Sequence, residues 1–337
     1  MALKALIVGT SGPDLSQQER AFLREARPCG LILFTRNCVT PQQIRRLVGD
    51  FREAVDHPDI LVLIDQEGGR VQRLRQPHWR ALPPARAFGR LYERDQPRAV
   101  EAARLVARLA AQDLNGVSVN VNCAPVLDLP APGAHGVIGD RAFHSDPDCV
   151  AALGRAVAEG YMEGGVLPVI KHIPGHGRAM ADSHLSLPRI EADEEDLVGS
   201  DFKPFATLAD MPMAMAAHVL IPALDPERPA SVSAVIMQQV IRGAIGFEGL
   251  VMCDDLNMGA LEGGVADRAE SVIGAGVDVV LHCDGMLEEM RAIADVVPEL
   301  AGKPKQRFEA AVARIVPPKP FDEAEACALL DEIAALA

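Results

Sequence analysis

Along the whole chain, short unbroken apolar runs alternate with segments whose apolar residues recur at three- and four-residue spacing. The runs at 5–8, 31–34, 60–64, 117–121, 167–171, 213–218, 250–253 and 277–281 carry little of the polar alternation of a half-exposed strand. Parallel strands covered on both faces read this way. A helical period dominates 97–114 and 147–163 and returns near 233–243, 263–275 and 286–296. Start signals agree with it. Ser16 has Glu19 three positions on, the pattern of a capping box, and Thr40-Pro41 supplies a cap and a first-turn proline. Eight strand–helix units in this order predict a single-domain (β/α)8 TIM-type barrel over residues 1–302. An open doubly wound sheet is the competing arrangement, but no Gly-x-Gly-x-x-Gly turn follows the first run. Residues 303–337 open with several lysines and prolines and end in an Ala-rich helix. They are expected to form a C-terminal helical extension, packed on or trailing from the barrel.

Composition narrows the class of partner. The formal charge of −14 over 337 residues argues against nucleic acid, whose recognition rests on basic patches, and against anionic membranes. No apolar run approaches the ~20 residues of a membrane span. The run that ends at Gly9 is shorter than the apolar core of a signal peptide. The seven cysteines are odd in number, widely spaced and without a Cys-x-x-Cys pair, so neither a disulfide framework nor a structural zinc site is expected. A reduced, cytoplasmic compartment fits that usage.

In such a barrel the chemistry sits where strands end and the following loops begin. The third run is followed by Asp65-Gln-Glu-Gly-Gly-Arg-Val-Gln-Arg73, the fourth by Asn122 and Asp128, and the fifth by Lys171-His172. The sixth leads to His218, the seventh to Asp254-Asp255, and the eighth to His282 and Asp284. Asp65 and Arg73 suit a sugar, because a carboxylate accepts from hydroxyls and a guanidinium fork donates to them. Arg141 lies on a long loop after the fourth run and by itself reads as a surface arginine. Asp254-Asp255 has two readings: a nucleophile with a bracing neighbour, or a pair of divalent-metal ligands helped by His172, His176, His184 or His218. Against metal, no His-Glu-x-x-His pair occurs. Asp182-Ser183-His184 places a carboxylate two residues from an imidazole, where it can orient the ring and raise its basicity. Ser183 lacks the Gly-x-Ser-x-Gly elbow of a nucleophilic serine.

Three segments together resemble glycoside hydrolase family 3. They are Ile64-Asp-Gln-Glu-Gly-Gly-Arg-Val-Gln-Arg73, Lys171-His-Ile-Pro-Gly-His-Gly177 continued by Asp182-Ser-His184, and Cys253-Asp-Asp-Leu-Asn-Met258. The match is closest to the single-domain bacterial β-N-acetylglucosaminidases (β-hexosaminidases) of peptidoglycan recycling, and it runs from about residue 5 to about residue 300. The resemblance implies Asp254 as the catalytic nucleophile and His184 as the general acid/base, with Asp182 as its partner. It implies Asp65, Arg73, Arg141, Lys171 and His172 as binders of the N-acetylglucosamine ring. Ile173 stands where the family usually has an aromatic residue, a loss of bulk. The implied activity is retaining, exo-acting hydrolysis of terminal β-linked N-acetylglucosamine from muropeptide fragments, without metal or organic cofactor. The substrate is a small amino-sugar molecule, and the chain is expected to be a monomer or weak dimer. The competing functions are a β-N-acetylglucosaminide phosphorylase, a metal-dependent hydrolase and a non-catalytic sugar-binding barrel.

Overall fold

A computed structural model describes residues 2–131, 133, 136–179 and 187–337. Eight parallel strands close into a barrel: β1 Lys4–Val8, β2 Pro28–Leu33, β3 Leu61–Ile64, β4 Val121–Asn122, β5 Leu167–Ile173, β6 Met213–Ala216, β7 Leu250–Asp255 and β8 Val279–His282. Each strand pairs with its neighbours in sequence, and β8 returns to β1 with Leu6 opposite Val280 and Val8 opposite His282. The unbroken apolar runs are explained by this closure, since one face of each strand fills the barrel and the other lies under helices. Leu31, Val62, Val169, Ala214 and Val251 are all sealed from solvent.

The expected helices form the outer layer, among them Gln17–Ala26, Pro41–Val55, Gln96–Asn115 and Pro147–Glu163. Ser16 Oγ accepts from the Glu19 amide at 3.1 Å, and the Glu19 carboxylate accepts from the Ser16 amide at 2.8 Å, completing the capping box. Helices Gln96–Asn115 and Pro147–Glu163 approach closely because alanine and glycine line their seam. A Cβ added at Gly160 would lie 2.3 Å from the Arg104 carbonyl oxygen and 2.9 Å from the Ala107 Cβ. Gly160→Ala is therefore expected to destabilise the fold by about 1–3 kcal/mol, the usual range for overpacking. A urea titration compared with wild type measures it, and activity per folded molecule should be unchanged.

One expected strand is displaced. Residues 117–119 are a turn rather than ladder: the amides of Val117 and Val119 both donate to the Leu114 carbonyl, and Ser118 has a φ of 64°. Val117 and Val119 are buried all the same, so their apolar character marks burial and not extension. Pairing begins at Asn120, whose side chain imitates a backbone unit. Its Oδ1 accepts from the Val62 amide at 2.7 Å and its Nδ2 donates to the Ile60 carbonyl at 3.1 Å. Elements not anticipated are a helix at Ala85–Tyr92, two short helices at Glu194–Gly199 and Phe202–Thr207, and a hairpin of Gln66–Gly68 with Val71–Gln72.

Beyond β8, helix Leu287–Val296 is followed by Gly302–Val312 and Glu323–Ala334. The last lies against Gln96–Asn115 and Ala85–Tyr92. It buries Ala326, Leu329 and Ile333 and is tied by Arg80–Glu323 at 2.9 Å and Arg98–Glu332 at 2.8 Å. Among the described residues, no helix is long and apolar enough to cross a membrane.

Candidate active site

The carboxyl ends of the strands surround a cavity lined by Asp65, Glu67, Arg73, Arg141, Lys171, His172, His176, Asp254 and Asp255 with Phe34, Met215 and Met258. Six of the residues expected from sequence, Asp65, Arg73, Arg141, Lys171, His172 and Asp254, thus line one cavity. Asp182 and His184 lie outside the described residues.

Asp65 directly follows β3, and the chain then folds back through the hairpin to bring Arg73 beside it. The turn needs Gly68 and Gly69, both at positive φ (105° and 54°), where glycine pays no steric penalty. The buried Gln66 side chain accepts from the amides of Arg73 and Leu74 at 2.9 and 3.0 Å, holding the hairpin closed. Asn122 at the tip of β4 clamps the other side, with Oδ1 accepting from the Gln66 amide at 2.9 Å and Nδ2 donating to its carbonyl at 3.0 Å.

A row of alternating charges results. Arg73 donates to Asp65 at 3.2 Å; Lys171 Nζ reaches Asp65 at 2.8 Å and Glu67 at 2.6 Å; Arg141 grips Glu67 with Nε and Nη2 at 2.8 and 2.9 Å. Burial by itself would raise the Asp65 and Glu67 carboxyls, but the surrounding cations overcome it and hold both below the usual carboxylate range. Burial would likewise lower Lys171, and the two carboxylates instead raise it above the ordinary lysine value. Asp65, Glu67 and Lys171 are therefore charged at neutral pH. Glu67 was not anticipated. The one available signal was its position in the hairpin, two residues beyond Asp65 and on the same face.

Arg141 reaches the row from its long loop because that loop is fastened. Ile138 and Ala142 pack with Val126 in a small apolar cluster, and Arg70 at the hairpin turn binds Asp140 at 3.0 Å and the Gly136 carbonyl at 2.9 Å.

On β5 the register shifts between Lys171 and Ile173, and Lys171 and His172 both line the cavity although they are adjacent. Asp128 fixes the second of them. Its Oδ2 meets His172 Nδ1 at 2.6 Å, while Oδ1 accepts from the amides of His172 and His176 at 3.2 and 2.7 Å. Because a carboxylate only accepts, the Nδ1 proton lies on that bond and Nε2 is left for the cavity. Burial would raise Asp128, and His172 outweighs it and keeps the carboxyl low. Asp128 had been noted only as a polar residue at a strand tip.

Asp254 and Asp255 close the far wall at the end of β7, and their environments separate them. Burial tends to raise Asp254, but His172, His218, the Asp255 amide (2.9 Å from Oδ1) and Lys171 bring it below the usual range, so it is ionised. Burial dominates at Asp255, with Asp254 and Asp284 adding repulsion, and its carboxyl is raised. Asp255 braces: its Oδ1 accepts from the amides of Cys283 and Asn257 at 3.1 and 3.3 Å, joining β7 to the tip of β8. His218 Nε2 donates to the Asp255 carbonyl at 3.1 Å and Nδ1 accepts from Ser231 at 2.6 Å. The arrangement therefore offers one ionised carboxylate lining the same cavity as a preformed polar cup, a combination that can serve nucleophilic chemistry.

Barrel and site define a glycosidase, and the chain belongs to the family described as glycosyl hydrolase family 3, whose N-terminal domain matches residues 3–317. Among its relatives is the beta-hexosaminidase of Alkalilimnicola ehrlichii, 42% identical over 288 residues, covering 84% of this chain and 82% of the relative. NagZ from Neisseria gonorrhoeae in complex with N-trifluoroacetyl-D-glucosamine superposes with a TM-score of 0.88 at 30% identity and 99% coverage of both chains. A family 3 beta-N-acetylglucosaminidase from Paenibacillus sp. str. FPU-7 also gives 0.88 at 28% identity, covering all of this chain and 69% of that one.

Proposed function

We propose that this protein is a retaining exo-β-N-acetylglucosaminidase. It removes terminal non-reducing N-acetylglucosamine from muropeptide fragments of the GlcNAc-1,6-anhydro-MurNAc-peptide kind during cytoplasmic peptidoglycan recycling. It works without a cofactor, as a monomer or weak dimer. The observation that carries the reading is the ionised Asp254 facing the same cavity as the paired Arg73–Asp65–Lys171–Glu67–Arg141 row. The beta-hexosaminidase relatives support the choice of sugar.

In the first step Asp254 attacks the anomeric carbon. The bond from that carbon to the aglycone oxygen breaks, and the departing oxygen takes a proton from the His184 imidazolium, which Asp182 stabilises. In the second step water attacks the anomeric carbon, gives its proton to His184, and the ester to Asp254 is released. Glycosidases of this kind usually employ two carboxyl groups. An imidazole in the second role already titrates near neutral pH and avoids repulsion with Asp254.

A 5-fluoro N-acetylglucosaminyl donor, followed by proteolysis and mass spectrometry, tests the reading. The label is expected on the peptide holding Asp254; a label elsewhere, or none during turnover, overturns it. His184→Ala is expected to slow substrates with poor leaving groups by about 10²–10⁴-fold, the range of general acid/base catalysis, and activated aryl glycosides much less. Steady-state rates across a leaving-group series measure the difference, and equal losses would remove His184 from the acid role.

A further inference from the structure

One side chain of the cavity lining has both of its polar atoms unpaired among the described residues. His176 lines the cavity and is only 4% exposed, yet neither ring nitrogen has a hydrogen-bond partner among those residues. The charged side chains around it each make at least one bond: Asp65, Glu67, Arg73, Arg141 and Lys171 with one another, His172 with Asp128, and Asp254 and Asp255 with backbone amides. Buried polar groups are ordinarily satisfied, and an exception calls for a physical account.

The ring is held in position without such a bond. The His176 amide donates to Asp128 at 2.7 Å and its carbonyl accepts from the Ala179 amide at 3.1 Å. On either side the backbone is pinned. Gly175 has a φ of 138°, and a Cβ at Gly177 would lie 2.0 Å from the Leu129 carbonyl oxygen. The imidazole stands 5.8 Å from that of His172, centroid to centroid, at 57°. Burial and then the neighbouring His172 push it down to about 4, so at neutral pH it carries one N–H donor and one bare acceptor. The aspartates and glutamate of the cavity only accept when ionised, and the arginines and lysine only donate. A neutral imidazole offers a donor at one nitrogen and an acceptor at the other, and a sugar hydroxyl can answer either.

We infer that His176 is a further substrate-binding residue, one ring nitrogen of which hydrogen-bonds a hydroxyl of the bound amino sugar. This rests on the functional reading above and deepens it. Because the ring is buried and its nitrogens have no partner among the described residues, a sugar lacking that hydroxyl leaves a polar atom unsatisfied, and discrimination against it is larger than an exposed hydrogen bond would give.

The test compares wild type, His176→Leu and His176→Gln by steady-state kinetics on an activated aryl β-N-acetylglucosaminide. Binding of N-acetylglucosamine and its monodeoxy analogues is measured alongside by calorimetry. In His176→Leu, KM should rise about tenfold with kcat within about twofold. His176→Gln, which keeps a donor and an acceptor, should recover part of the loss. For one monodeoxy sugar the affinities of wild type and His176→Leu should coincide. Unchanged KM in the leucine variant, or an equal variant effect on every monodeoxy sugar, overturns the inference while leaving the functional reading intact. Wild type that neither binds nor cleaves any N-acetylglucosaminide overturns both. If the leucine variant does not fold, the wild-type binding series decides: one hydroxyl must stand out beyond those whose loss the charged row accounts for in Arg73→Lys and Arg141→Lys controls.

Discussion

Asp254→Asn is expected to lower kcat on an aryl β-N-acetylglucosaminide by on the order of 10⁴- to 10⁶-fold, the scale seen when a covalent nucleophile is removed. The amide is nearly the same shape and its oxygen can still accept from the Asp255 amide, now at 2.9 Å, so the tip of β7 keeps its geometry. What is lost is the negative charge that His172, His218 and Lys171 attract and the electron pair that attacks the anomeric carbon. The folded carboxyl lies below its unfolded value, so its ionisation adds stability above the unfolded pKa and loses it as pH falls through the folded one. The asparagine variant should accordingly melt slightly lower than wild type at neutral pH and converge with it in acid. Substrate binding should survive. Burst and steady-state kinetics with a calorimetric titration of product separate these effects, and near-normal turnover would exclude Asp254 as nucleophile.

Lys171→Met is expected to be costly in two ways. Removing one partner of a buried ion pair leaves uncompensated charge and typically destabilises by about 3–5 kcal/mol. Here one side chain, almost wholly sealed, serves both Asp65 and Glu67, which would be left repelling each other. Their carboxyls are depressed in the wild-type fold, so their contribution is fully present above pH ~4 and is lost only on strong acidification. Lys171 is raised, so its contribution persists to high pH and adds no slope near neutrality. The melting-temperature gap between variant and wild type should therefore be wide at pH 7 and narrow towards pH 4, where the two freed carboxyls take up protons. A gap independent of pH would mean that lost packing, and not charge, explains the defect. Sugar binding should fall with it, because Arg73 and Arg141 are aligned through the same two carboxylates.

The barrel was legible because burial on both faces leaves unbroken apolar runs, and seven of the eight strands fall on or beside the expected runs. The displaced one shows the limit of that signal. Val117 and Val119 are as apolar as any strand residue, but they are buried from within a turn, and an asparagine side chain begins the pairing. Polar residues abutting apolar runs located Asp65, Lys171, His172 and Asp254. Arg141 was beyond reach of pattern alone, since nothing local distinguishes a loop arginine that turns inward to Glu67 from one in solvent. Glu67, Asp128 and His176 went unassigned for a related reason. Glu67 and Asp128 take their roles from partners far along the chain, and the unpaired His176 ring is visible only once the rim is assembled.

The pairing of Val8 with His282 has a consequence for synthesis. A nascent chain leaving the ribosome can stack β1 to β7 as a curved open sheet, but the free edge of β1 has no mate until β8, about 270 residues further along, has been made. Exposed edges invite pairing with other chains, and partly built sheets are prone to aggregate. Production of this protein should therefore respond more to elongation rate and to chaperones that shield one strand edge than to changes in the finished core.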